Sequence, residues 1–210
     1  MVRAFFCVKL LAMLWQILLF LWVVLVAKSP AYRLVYALFW PENQGGLIYG
    51  HTVWAMWQLQ QRLAALMLLV CELLKPLLIY FTVMFFFKSD VLALWFVFFE
   101  VLVSWLTFHK VQKGKFNVGF KPSLAPFMAF HFLLSPVLAL ILLMLWLGCF
   151  LASKRLASSG LTVYLFSPLL LLLVVDYQLP YYLGLTLSVG AAWGLKNVLM
   201  RDYPFKERVF

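Results

Sequence analysis

The stretch LAPFMAFHFLLS, residues 124–135, decides how many times this chain crosses a membrane. It is apolar apart from His131 and the closing Ser135, and Pro136 ends it well short of the roughly 20 residues a helix needs to cross the hydrocarbon core. Its neighbours on both sides are less ambiguous. Apolar runs of spanning length or close to it lie at 10–27, 63–87, 91–108, 136–152, 161–175 and 181–200. Residues 31–40, AYRLVYALFW, are apolar but too short to cross, and are expected to form an interfacial helix.

Composition supports a membrane setting throughout. Of 210 residues 66% are hydrophobic and only 11% charged, with mean hydropathy +1.00, whereas soluble domains are about half apolar and a quarter charged. Too few polar residues remain to cover a water-facing surface. A soluble enzyme, a disordered chain and a disulfide-stapled secreted module are therefore excluded, and an integral membrane protein of one domain, 1–210, is expected. The N-terminal run carries Arg3 and Lys9 ahead of it, as a signal peptide would. It continues to Ala27, however, and includes the bulky Trp15 and Trp22, so it reads as a retained transmembrane helix. Cys7, Cys71 and Cys149 all fall in apolar runs without CxxC spacing, which suits buried small hydrophobes rather than a disulfide framework or a metal site.

The 17 Lys and Arg against 7 Asp and Glu leave a net charge of +10. In a membrane protein this excess belongs first to cytoplasmic loops, with anionic headgroup or substrate binding as a further use, and it gives no reason to invoke nucleic acid. Four basic segments stand out: Lys28, Arg33 and Arg62 around the first loop; Lys110, Lys113, Lys115 and Lys121; Lys154 and Arg155; and Arg201, Lys206 and Arg208 in the tail. Six spans would put the four-lysine loop and the Lys154–Arg155 loop on opposite sides. Counting 124–135 as a seventh, short segment places all four together, with the N-terminus outside and the C-terminus inside. Arg3 and Lys9 run against that count. The expected fold is thus an all-α polytopic bundle of about seven membrane segments.

Ionisable groups inside such segments cost roughly 2.5–3.5 kcal/mol each on insertion scales, and so each needs a reason. Glu72 and Lys75 are three apart, on one helix face and within reach of each other, and Pro76 follows at once. They form either a neutralised pair that pins helix packing or the polar lining of a cleft. Glu100 has no charge within one turn, so it is expected to face the bundle interior with Lys75 as its candidate partner. His131, among Phe127, Phe130 and Phe132, is expected to be core; His109, at the mouth of the basic loop, is placed either for acid–base work or simply at the interface. Neither a G-x-S-x-G elbow nor a Walker loop is present. Gly45, Gly46 and Gly50 make the nearest approach to a phosphate cradle. The loop KVQKGKFNVGFKPS, 110–123, is either a topology determinant or a phosphate-binding loop.

The order of these features resembles the bacterial acyl-phosphate-dependent glycerol-3-phosphate acyltransferases. RLAALMLLVCELLKP, 62–76, is similar to a family helix bearing D-x-x-K-G, here Glu72, Lys75 and Pro76. The family's G-S-G-N-P-G-A-T-N loop corresponds to GGLIYGHTV, which keeps Gly50 and Thr52. Its F-K-G-G-K-G-V-A-T loop corresponds to FKPSLAPFM, which keeps Phe120 and Lys121. A Gly-His pair upstream of that loop matches His109. TLSVGAAWGLKNVLMR resembles the last family helix, whose R-H-x-x-N-I survives as Asn197 and Val198. The resemblance implies a bundle with the same seven-segment, N-out arrangement, seated in the bacterial cytoplasmic membrane. It implies acyl transfer from acyl phosphate to glycerol-3-phosphate, with membrane lipid around it. Gly50, Thr52, Lys115, Lys121 and Asn197 would bind substrate, with His109 as the base. No metal or cofactor is implied, because an acyl phosphate already carries its leaving group and positioning does most of the work.

Most of the loop glycines that would let backbone amides wrap a phosphate are missing. Two readings follow: an acyltransferase-like enzyme with altered or lost chemistry, and a non-catalytic membrane subunit or lipid-binding scaffold in which Glu72 and Lys75 serve assembly. A transporter fits less well, since neither an internal repeat nor paired broken helices are evident.

Overall fold

The computed structural model describes residues 2–29, 31, 35, 38, 62–110, 116–120, 122–153, 156–174 and 178–201; at 2–13, 107–110, 116–120, 156–158 and 196–201 it gives the backbone course alone. Among the described residues seven helices and one hairpin follow in order. They are α1 (Val2–Lys28), α2 (Arg62–Phe87), α3 (Asp90–Trp105), β1 (Leu106–Lys110), β2 (Phe116–Phe120), α4 (Leu124–Leu134), α5 (Pro136–Ser153), α6 (Leu156–Val174) and α7 (Leu179–Arg201). The helices fall on the apolar runs. α2 and α5 are each long and apolar enough to cross a membrane. Large side chains project outward all round the bundle, with Phe85 79% and Leu173 81% exposed, as a lipid-facing surface requires and water would not tolerate on this scale. This is an integral membrane fold.

The ambiguous stretch forms a helix of its own. Ser135 alone separates α4 from α5: its extended backbone closes α4 through Ser135 N–H to the His131 carbonyl, 2.9 Å, and its hydroxyl accepts from Leu138 N–H, 3.4 Å. Pro136 then opens α5, where a missing N–H is no loss. At 1.5 Å per residue α4 rises about 16 Å, half the hydrocarbon thickness. Its length is tolerable because protein surrounds it: α2, α3, α5 and α7 all pack on it, and Ala125, Phe127, Ala129, Phe130 and His131 are buried.

Around α4 the core gathers Ile79 from α2, Val97, Val101 and Trp105 from α3, Leu138 and Leu142 from α5, and Leu171 and Leu187 from α6 and α7. Small residues set the α6–α7 spacing. A Cβ on Gly184 would meet the Leu171 and Leu134 methyl groups at 3.0 and 3.2 Å. Pro168 removes the N–H that the Tyr164 carbonyl would have used, and the Ser167 hydroxyl donates to that carbonyl instead, at 3.2 Å, while lying 2.5 Å from the Ser188 hydroxyl. At the entry to α2, Val35 is fully buried against Ala64, Ala65 and Leu68, with Ala31 beside it and Leu38 exposed; all three of Ala31, Val35 and Leu38 are helical, as expected for an amphipathic segment.

Two local features depart from expectation. The run 91–108 is helical only to Trp105, because Leu106 turns extended and starts β1. Within the basic loop β1 and β2 pair antiparallel from Leu106↔Phe120 to Lys110↔Phe116, an arrangement that an all-helical reading does not include. Between α2 and α3 the turn is tight. Lys88 sits at φ 50, its N–H donating to the Met84 carbonyl at 3.0 Å, and Ser89 caps α3. A left-handed residue with a Cβ costs about 1–2 kcal/mol that glycine does not. Lys88→Gly is therefore expected to stabilise the protein by about 1 kcal/mol, read as a raised unfolding temperature in detergent; an unchanged or lowered value would mean that the turn is not strained.

Candidate functional site

The polar side chains of α1, α2 and α3 meet where the hairpin joins the bundle. Glu72 and Lys75 share a face of α2, and Lys75 Nζ donates to Glu72 Oε1 at 2.7 Å. The same ammonium donates at 3.2 Å to the carbonyl of Ser29, just past the end of α1. Lys28, the last residue of α1, donates through Nζ to the Leu106 carbonyl at the first position of β1. Lys28 and Lys75 are close enough for their charges to repel. One short stretch of α1 is thus tied to α2 in one direction and to the hairpin in the other.

Glu100 enters this junction from α3. Its side chain is fully buried, and neither carboxylate oxygen has a hydrogen-bond partner among the described residues. The candidate pairing with Lys75 is not made: Lys75 donates to Glu72 and to Ser29, and neither Glu100 oxygen has a partner among the described residues. The Glu72–Lys75 pair is present as the spacing implied, and Lys75 is the more deeply buried of the two, at 10% side-chain exposure against 24%.

The base of the hairpin is fastened a second time. Trp105, fully buried at the end of α3, donates its indole N–H to the Ser123 carbonyl at 3.2 Å and stacks on Phe127 of α4. The chain entering the basic loop and the chain leaving it are held together there. His131 is core, its ring 4.0 Å from that of Phe127 and its Nδ1 2.9 Å from the Phe127 carbonyl, with Nε2 unpartnered among the described residues.

Of the residues singled out for chemistry, His109 lies on β1, directly opposite Asn117 on β2, and Asn197 lies near the end of α7. Gly50, Thr52, Lys115 and Lys121 lie outside the described residues. Sequence reasoning missed Lys28 as more than a topology marker, and missed Ser29 and Leu106 altogether; each contact joins a lysine ammonium to a backbone carbonyl far along the chain, which no spacing encodes. A cavity beside α1 and α3, about 310 Å³ and lined by Gln16, Phe20, Leu92, Trp95, Phe96 and Phe99, is apolar and holds none of these residues.

A helical membrane bundle, with a short buried helix at its centre and a basic hairpin rooted in an ion-paired junction, defines the class of protein. Among solved structures the chain is similar to PlsY (YgiH), described as an integral membrane glycerol 3-phosphate acyltransferase. To its glycerol 3-phosphate form the TM-score is 0.63 at 16% identity, covering 88% of this chain and 90% of that one. The lysophosphatidic acid form matches with the same TM-score and coverage at 17% identity. No family model and no curated protein matches the sequence. The chain therefore has the PlsY fold over nearly its whole length, at an identity where the likeness is one of fold.

The junction makes a quantitative demand. Removing one member of a buried pair leaves an uncompensated charge, at about 3–5 kcal/mol, whereas replacing both is far less disruptive. Lys75→Met is expected to destabilise by about 3 kcal/mol, and adding Glu72→Gln to recover part of that loss, as measured by unfolding in detergent. Additive losses in the double variant would mean that the two side chains are not coupled.

Proposed function

We propose that this protein is a membrane acyltransferase that moves an acyl group from acyl phosphate to glycerol-3-phosphate, in the cytoplasmic membrane of a bacterium and with the hairpin end of the bundle facing the cytoplasm. The observation that carries this reading is the fold shared with PlsY over nine-tenths of both chains, together with the hairpin that sets His109 on a strand at the root of the basic loop. In the reaction the glycerol-3-phosphate hydroxyl oxygen bonds to the acyl carbon, the bond from that carbon to the phosphate oxygen breaks, and inorganic phosphate leaves. His109 takes the hydroxyl proton as general base. Lys121 and Lys115 carry the charge that meets the substrate phosphates, and Gly50, Thr52 and Asn197 complete the polar wall. No metal is required, since phosphate departs without further activation; the protein supplies orientation and charge.

Loss of the loop glycines favours a second reading, a non-catalytic membrane subunit or lipid-binding scaffold on the same fold. The two separate in a single assay. Purified protein is given acyl phosphate and labelled glycerol-3-phosphate, beside its Lys121→Ala variant. Lysophosphatidate is expected from the parent and a loss of about tenfold to a hundredfold in kcat/KM from the variant, the worth of one charged hydrogen bond to phosphate. Folded protein that makes no lysophosphatidate would sink the enzyme reading and leave the scaffold.

A further inference from the structure

The hairpin that carries His109 has a narrow attachment to the bundle. Leu106 is both the residue after α3 and the first residue of β1, so its carbonyl marks where helix gives way to strand. Its N–H still bonds back to the Val103 carbonyl, and its C=O points to another helix, where Lys28 donates to it across 78 positions of sequence. Lys28 in turn cannot drift, because the residue after it is held: the Ser29 carbonyl receives Lys75, and Lys75 is fixed by Glu72. From α2 to β1 the links are Glu72, Lys75, Ser29, Lys28 and Leu106. The titratable groups beside this chain of bonds are Glu100 from α3 and the two lysines themselves. The opposite side of the hairpin root is held by Trp105 and Ser123. His109 is three positions beyond Leu106, paired with Asn117, so an error in the direction of β1 at Leu106 is carried to it.

We infer that Lys28 is a positioning residue, which fixes the direction of the hairpin and thereby the place of its histidine by clamping the Leu106 carbonyl to the end of α1. The catalytic half of this inference rests on the acyltransferase reading; the mechanical half does not. A lysine at the end of an apolar run has an ordinary use as a topology marker, and for that use any cation pointing into water suffices. Lys28, at the exposed end of α1, also places its ammonium on the Leu106 carbonyl, at the residue where helix gives way to strand. Removing it takes a tie from the root of the hairpin and leaves the packing of α4 against its four neighbours as it is.

The test separates those two effects. Lys28→Met and Lys28→Arg are compared with the parent by hydrogen exchange of the backbone amides in lipid nanodiscs, with thermal unfolding as the measure of the whole. In Lys28→Met the amides of β1 and β2 are expected to exchange about tenfold faster, the factor for one hydrogen bond from a charged donor, with those of α6 and α7 unchanged and the unfolding temperature within a degree or so of the parent. Lys28→Arg, which keeps a donor, is expected to restore protection. Unchanged hairpin exchange in a folded Lys28→Met protein would overturn the clamp. With acyl phosphate and glycerol-3-phosphate, kcat is expected to fall by about the same factor, KM for glycerol-3-phosphate to stay nearly constant and the arginine variant to recover. A looser hairpin with full turnover would overturn the positioning role. A parent with no turnover overturns the acyltransferase reading alone, and hydrogen exchange then decides the clamp.

Discussion

The ammonium of Lys75 sits largely buried between α1 and α2. Transfer of such a charge out of water is affordable only where carboxylates and carbonyls take over all of its hydration. Here Glu72 supplies one acceptor from the same helix and Ser29 another from the end of α1, so meeting the need of one side chain on α2 fixes where α1 ends. That in turn sets Lys28, and Lys28 sets the start of the hairpin. Glu100 contributes a carboxyl from the third helix without touching any of these groups. The junction thus ties α1, α2 and β1 to one another, beside the apolar packing that α1, α2 and α3 share.

The rest of the bundle is held by weaker and more numerous terms. α4, too short to cross alone, has to be enclosed by protein, and its alanines and phenylalanines give it a surface that fits against four other helices at once. The α6–α7 contact relies on glycine and serine, which let backbones approach and supply hydroxyls for carbonyls that a proline has orphaned. Such contacts are tolerant of sequence change provided volume and polarity are kept. That tolerance accounts for a shared fold at 16% identity with PlsY: lipid demands apolar surfaces and internally satisfied backbones, and many sequences meet both demands.

How much of this was legible in the sequence divides along the same line. The long helices were, because a run of apolar residues flanked by charge has few other fates in a membrane protein. So was the Glu72–Lys75 pair, since helical spacing puts the two on one face. The separateness of α4 followed from Pro136. The hairpin was not foreseen: its lysines and glycines read as a loop, although the alternation in FNVGF, 116–120, was a strand signal of modest strength. Nor was the Lys28 contact, whose acceptor is a backbone carbonyl that any residue at position 106 would provide. The sequence named Glu100 as interior and Lys75 as its candidate partner; the first is so, and the second contact is not made, because a nearer carboxylate on the same helix claims the lysine first.

Fold and chemistry place different demands on the sequence. The bundle needs apolar volume, small residues at a few crossings and a neutralised charge cluster, all of which are present. A phosphate cradle needs backbone amides that converge, and hence glycines at particular positions. At 120–128 the family's paired glycines give way to Pro122 and Ser123. Proline offers no N–H, so this segment has fewer backbone donors than a glycine-rich loop would. The Ser123 carbonyl is committed to Trp105, which makes the same segment a structural root for the hairpin. Any phosphate recognition here therefore shifts from backbone amides to lysine side chains, which attract phosphate strongly but orient it loosely. That places the burden of geometry on whatever holds the hairpin still, and in this structure the hairpin is held at Leu106 by a lysine from the first helix and at Ser123 by a tryptophan from the third.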